Sequence, residues 1–246
     1  MRIIKPGYAF IDFPEDPKEI YRKIERVGRT CYKSEDKITD ESAEKLVRAL
    51  VKNHHEAMLE HASFSVVFTV DRGVSHELVR HRLAAFAQES TRYCSYNKGK
   101  FGKEITVIEP CFYDAIPEKE KKMCQKALNL IPIDHQITDF LENTVTDLHR
   151  RYARWYDACV SAENEYMMML DLGATPQEAR DILPNSLKTD IVVTANVREW
   201  RHILNLRAAG TTGKPHPQMA EVMTKLLEEL QEKLPALFED IKLPEE

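Results

Sequence analysis

The stretch "RHRLAAFAQESTRYCSY" (residues 80–96) gathers Arg80, Arg82 and Arg92 around His81, Gln88 and Ser90. Guanidiniums this close repel one another unless an anion satisfies them, and arginine suits phosphate because its planar fork donates two parallel hydrogen bonds. On a continuing helix Arg80 and Arg82 would point about 200° apart, so a shared ligand requires the helix to end there. Ser90 and Arg92 could then sit in a loop that folds back over the same site. Spacing alone equally describes a solvated, charged helix end. Against that reading, residues 78–87 contain no acid, whereas surface charge runs usually mix signs. A second basic set lies far along the chain: Arg180, then Asn196, His202 and Arg207. Taken alone, Arg207 is an ordinary last-turn arginine complementing the helix dipole.

Other chemistries fit less well. "HHEAMLEH" (54–61) clusters His54, His55, Glu56, Glu60 and His61, but a helical metal site of the His-Glu-x-x-His kind needs its two rings one turn apart. Here His61 falls six residues after His55, so no metal site is expected, and Glu60 and His61 are expected to bond within the core beside the following strand. Cys111 has no basic neighbour in sequence to depress its pKa, which favours a buried structural thiol. Ser90 lacks the Gly-x-Ser-x-Gly setting of a hydrolase elbow. "GTTGKPH" (210–216) fails as a phosphate loop, because Ala208 stands where the first glycine belongs and Pro215 follows Lys214. Met167, Met168 and Met169 read as helix packing.

These residues need elements to position them. Residues 40–52 place Ala43, Leu46, Val47, Leu50 and Val51 on one helical face. "FSVVFTV" (64–70) alternates as a half-buried strand, and a helix follows from near Gly73 into the arginine cluster. Residues 96–104 form a polar Gly/Lys loop ahead of a short strand, "ITVIEP". The spacing of Leu141, Val145, Leu148, Tyr152, Trp155, Cys159, Tyr166 and Leu170 predicts one long helix. "TPQE" (175–178) is a capping box that opens a helix at Pro176, which stops at Leu183-Pro184. "DIVVTA" (190–195) is a strand; Asn196 caps the next helix with Glu199 at its third position, Gly210 ends it, and a last helix covers roughly 217–233. Strands and helices without regular alternation indicate an α+β chain.

A length of 246 residues fits one large domain or two small ones, and 43% hydrophobic content is enough for a real core. With 35 basic against 40 acidic residues the net charge is −5, which argues against a general nucleic-acid binder and makes any anion site local. The cysteines number five and form no C-x-x-C pair, favouring a reducing cytoplasm over a disulfide framework or structural zinc. No signal peptide or membrane span is expected.

"RHR", seven residues, then Ser90 and Arg92-Tyr93 resembles the signature of the flavin-dependent thymidylate synthases. "KNHHEAMLEHASFSVVFTV", "ARDILP", "TANVREWRHILNLR" and "HPQMAEV" resemble further blocks of that family, in its order, over roughly residues 29–235. The resemblance implies a single domain over residues 1–246, with a mainly antiparallel sheet, flanking helices and long helices in the C-terminal half. It implies FAD as cofactor, dUMP as substrate, methylenetetrahydrofolate as carbon donor and NADPH as reductant. It further implies a cytoplasmic homotetramer with active sites shared between subunits. By the same resemblance, Arg80, His81, Arg82, Gln88, Asn196, Arg198 and His202 contact flavin. Glu77, Arg80, Gln88, Glu89, Ser90, Thr91, Arg92, Arg180 and Arg207 bind nucleotide, with Glu77 and Arg80 coming from a neighbouring subunit. Arg207, Ser90 and His55 take the catalytic positions: Arg207 polarises the uracil ring, and no cysteine nucleophile is needed. This chain departs from the common pattern at Ala85, Ala87 and Gln88, which stand for Ser, Asn and Glu. Glu77 replaces a frequent Gln, and "GTTGK" looks like an insertion. The substitutions leave UMP open as a substrate, and a modified carbon transfer with it. A non-catalytic nucleotide-binding relative is the remaining alternative.

Overall fold

A computed structural model describes residues 1–97, 99, 102–129 and 135–244. In chain order its first elements are β1 (Arg2–Ile4), β2 (Gly7–Phe10), α1 (Lys18–Tyr32), α2 (Ser42–Lys52), β3 (Ser63–Asp71), α3 (Arg72–Leu78), β4 (Ala85–Gln88) and β5 (Thr106–Ile108). There follow α4 (Glu118–Asn129), α5 (His135–Asn143), α6 (Asp147–Asp171), α7 (Pro176–Ala179), β6 (Lys188–Asn196), α8 (Val197–Arg207), α9 (Pro217–Lys233) and α10 (Pro235–Phe238). Lys98, Lys100 and Phe101, part of the expected Gly/Lys loop, lie outside the described residues. The chain is α+β and divides into two compact units.

One unit comprises Gly7–Val70, Val74–Gln88 and Asp190–Glu246. Its four-stranded sheet has the order β2-β3-β6-β4, and β2/β3 and β4/β6 pair antiparallel. Hydrogen bonds between the Ser65 and Thr194 hydroxyls (2.8 Å) and from Thr69 to Asp190 (2.7 Å) step forward on β3 and backward on β6, so this pair is antiparallel too. The alternation read from residues 64–70 is real: Phe64, Val66, Phe68 and Val70 are at most 1% exposed, while Val67 and Thr69 face the other side, half-buried. The inner face meets α8 and α9. Trp200 stacks on Phe64 with ring centroids 5.2 Å apart and an interplanar angle of 6°, and its Nε1–H donates to the Phe64 carbonyl at 3.1 Å. Leu226, Leu227, Leu230 and Leu237 complete this core.

The other unit comprises Met1–Pro6, Asp71–Gly73 and Glu89–Thr189. A parallel pair, β1 with β5, packs in one cluster with Cys159, Tyr166 and Leu187; α4, α5 and α6 build a second around Cys124, Phe140 and Tyr152. The long helix expected from Leu141 is a correction: α5 ends at Asn143 and α6 begins at Asp147, running 25 residues. Thr146 starts α6, its backbone N–H donating to His149 Nδ1 at 3.2 Å. The apolar spacing runs through the break because Phe140, Val145, Leu148 and Tyr152 share one cluster whichever helix carries them. Cys111 is half-buried rather than buried. Among the described residues no helix is long and apolar enough to cross a membrane.

Candidate functional site

The helix α8 forms one wall of the site. Asn196, the last residue of β6, is its N-cap, with Oδ1 accepting from the Glu199 N–H at 2.9 Å. Trp200, Ile203 and Leu204 are fully buried against the sheet. That orientation leaves Arg198 and His202 on the opposite side, while Arg207, seven residues after Trp200, is in phase with the buried face and lies half-buried in the last turn. The facing wall is residues 80–83. α3 stops at Leu78, so the helix ends before the arginines, the condition under which Arg80 and Arg82 can serve one ligand. Both are exposed, and neither forms an ion pair among the described residues.

Between these walls lies a cavity of about 890 Å³, lined by Arg80, His81, Arg82, Asn196, Arg198, His202 and Arg207 among others. Two segments more than a hundred residues apart thus bring together seven of the expected site residues. Arg207 donates from Nε to His81 Nε2 at 3.1 Å and from Nη1 to Glu77 Oε2 at 2.8 Å. His81 is 5% exposed. Burial, and then the charges of Arg207 and His202, push its pKa down to about 4. The ring is therefore neutral, and because Nε2 accepts, its proton sits on Nδ1. Nδ1 faces Glu199 Oε1 at 3.8 Å, and the His202 ring meets His81 edge-on with centroids 6.0 Å apart. Arg198 is braced by Glu60 (2.5 Å) and Glu56 (3.3 Å). Glu60 and His61 are exposed, which corrects the expectation that they bond within the core: residues 56–61 form a short 3-10 helix whose buried member is Leu59.

Size and donors fit the flavin dinucleotide that the resemblance implies. The volume is near the top of the range for small-molecule sites, about 300–1,000 Å³. Arg80 and Arg82 have charge to give a diphosphate, and Asn196 and His202 offer an amide and an imidazole for a ring edge. His55 lines an adjoining cavity of about 440 Å³ that shares Glu56 and Arg198 with the first. The "GTTGK" segment is a turn closed by the Gly213 N–H on the Gly210 carbonyl (3.0 Å), and it lines a cavity of about 380 Å³ with Glu77 and Arg207. Gln88, on β4, donates to Ser75 Oγ at 2.8 Å.

The remaining expected residues belong to the other unit. Ser90 opens a turn, its carbonyl accepting from the Cys94 N–H at 2.9 Å, and its Oγ accepts from the Arg92 N–H at 3.3 Å. Thr91 is buried, while Arg92 is exposed and donates to Gln177 Oε1 at 3.2 Å. Glu89 is held by Lys188 at 3.0 Å rather than turned outward, and Arg180 is exposed beside Asp181 at 3.9 Å. Arg72 underpins this turn, with bonds to the Glu89 carbonyl (3.3 Å), Thr189 Oγ1 (3.2 Å) and Thr91 Oγ1 (3.2 Å). Sequence reasoning missed Arg72, which lies at a strand–helix junction with no motif around it. It also saw Glu199 only as a capping residue.

The family model described as "Thymidylate synthase complementing protein" matches residues 15–236. The flavin-dependent thymidylate synthase of Corynebacterium aurimucosum is 30% identical over 93% of this chain and 83% of its own length. That of Pyrococcus furiosus is 29% identical over 82% of this chain and 68% of its own. The crystal structure of the UMP/dUMP methylase PolB from Streptomyces cacaoi, bound with 5-Br dUMP, has the same fold, with a TM-score of 0.70 at 22% identity, covering 97% of this chain and 96% of that one. The order of the motifs, the cavity they line and these relatives agree: the chain belongs to the thymidylate synthase complementing family, the flavin-dependent thymidylate synthases.

Proposed function

We propose that this enzyme methylates dUMP reductively to dTMP, using FAD as cofactor, methylenetetrahydrofolate as carbon donor and NADPH as reductant. The observation that carries the reading is the convergence of Arg80–Arg82 with Asn196–Arg207 on one cavity, with Arg207 held between His81 and Glu77. Arg80 and Arg82 bind the cofactor diphosphate, and Asn196, Arg198 and His202 hold its rings. When bound, the flavin supplies hydride to the pyrimidine, so no enzyme cysteine has to attack the ring. Arg207 stays charged, and its fixed donors stabilise negative charge developing on the pyrimidine carbonyl. Ser90, Thr91, Arg92 and Arg180 bind and orient the nucleotide, Ser90 through its hydroxyl. His55, in the adjoining cavity, serves as an active-site histidine. A homotetramer in the cytoplasm completes each site with Glu77 and Arg80 of a neighbouring subunit.

A second reading, methylation of UMP, is favoured by one observation. Gln88 gives one amide N–H to Ser75, and Ala85 and Ala87 on the same strand carry no polar groups, so this edge offers a nucleotide less than the commoner residues would. The PolB relative is itself named a UMP/dUMP methylase. The test is mass spectrometry of dUMP and UMP incubated separately with the protein, FAD, NADPH and methylenetetrahydrofolate. One added methyl on dUMP alone supports the first reading; methylated UMP moves the substrate. Bound flavin without product from either nucleotide refutes both and leaves a non-catalytic nucleotide-binding relative.

A further inference from the structure

Glu199 is a carboxylate that folding alone does not explain. It is 5% exposed. Burying an ionised group is expensive unless something compensates it, and the first-turn dipole returns only about 0.3–1 kcal/mol. Burial raises its carboxyl above the ordinary range, and His202 draws it back down. Its one charge-capable partner among the described ion pairs is His81, whose Nδ1 lies 3.8 Å from Oε1 with both side chains at most 6% exposed. That distance is too long for a direct hydrogen bond but short enough for an electrostatic contact between two little-exposed side chains on the wall of the cavity.

The orientation of His81 gives the contact its meaning. Nε2 accepts from Arg207 Nε–H, so the proton lies on the ring edge turned to Glu199. In the other tautomer an N–H would meet the Arg207 N–H and a lone pair would meet the carboxylate, two repulsions in a buried setting. We propose that Glu199 is a positioning residue that selects the Nδ1–H tautomer of His81 and through it fixes the Arg207 guanidinium. The consequence for turnover rests on the role of Arg207 proposed above; the choice of tautomer does not.

The experiment uses the full chain carrying ¹⁵N-histidine. Two-bond ¹H–¹⁵N correlations distinguish protonated from bare ring nitrogens, and the His81 signals are identified by their loss in His81→Gln. The expected result is Nδ1–H in the wild type and in Glu199→Gln, which keeps an acceptor oxygen. Glu199→Leu should convert His81 to a mixture containing Nε2–H. With dUMP, Glu199→Leu should lower kcat on the order of tenfold, the scale on which tautomer-fixing partners act. KM should change less than about twofold, and Glu199→Gln should restore most of the rate. An Nε2–H wild type overturns the proposal even if Glu199→Leu fails to fold, and so does an unchanged tautomer in a folded Glu199→Leu. If the wild type makes no dTMP while the tautomer still follows Glu199, the functional reading fails and the positioning stands.

Discussion

Acid should destabilise this fold through His81 by a calculable amount. The ring is 5% exposed, and burial first, then the Arg207 and His202 charges, bring its pKa from the 6.5 of a free histidine to about 4. A base depressed in this way binds fewer protons folded than unfolded, so protonation favours the unfolded chain. The penalty is absent well above pH 6.5, grows as pH falls, and saturates below about 4. At 1.36 kcal/mol per pH unit its limit is about 3 kcal/mol, of which about 2 kcal/mol is lost by pH 5. His81→Gln supplies the comparison, because its amide oxygen can accept from Arg207 Nε–H and does not titrate. Urea unfolding of both proteins, at one protein concentration and at pH steps from about 7.5 to 4.5, gives two curves of stability against pH. Other titrating groups act on both curves and cancel in their difference. The wild type should lose about 2 kcal/mol more than the variant between pH 7 and pH 5. Parallel curves would refute the assignment of a buried, neutral His81, and with it the hydrogen-bond polarity deduced around Arg207.

Perturbations at four further positions read other parts of the site. Asn196→Ala removes the α8 cap and should cost about 1 kcal/mol in urea unfolding, whereas Asn196→Gly should cost only a few tenths. Arg72→Met strips two hydrogen bonds from the 89–91 turn and the one that ties Arg72 to Thr189. It should raise the KM for dUMP while flavin content, read from the visible absorbance of the purified protein, stays at the wild-type level. Arg80→Ala should lower flavin occupancy. Arg207→Ala should keep the flavin and lose about 10²–10³ in kcat, the usual cost of one charge-stabilising donor; near-normal turnover in that variant would remove it from the mechanism.

Much of the fold could be read from the sequence where pattern and packing coincide. α2, β3, β6, α8 and α9 were legible because alternation or helical spacing ran straight into a capping or breaking residue: Asn196 before α8, and Gly210 after it with φ +67°. β4 was illegible because Ala85–Gln88 is four residues long and gets its strand identity from pairing with β6, Ala85 against Thr194 through Gln88 against Ile191. α4 (Glu118–Asn129) is half charged, with few apolar positions to signal a helix, whereas α1 (Lys18–Tyr32) went unread although Ile20, Ile24, Val27 and Cys31 keep helical spacing. The site was legible as residue types and not as geometry. Sequence could not say that Glu77, Arg207, His81 and Glu199 form one chain of contacts, since two stretches more than a hundred residues apart supply it. Nor could it say that Glu89 would be spent on Lys188.

Asn196 ends β6 and caps α8 in the same residue, so strand passes to helix with no connecting loop. Pleat and helical phase are thereby locked together. One inserted or deleted residue between 190 and 196 would turn the strand's inward side chains outward. The same change within the helix would swing every donor beyond it by about 100°. Length variation is thus barred from the segment that carries Asn196, Arg198, His202 and Arg207. The turn at 210–216 closes on itself through Gly210 and Gly213 and can change length without disturbing α8. Descendants of this chain can explore new ligands by remodelling that lip of the Glu77–Arg207 cavity, while the donor helix stays out of reach of insertion and deletion.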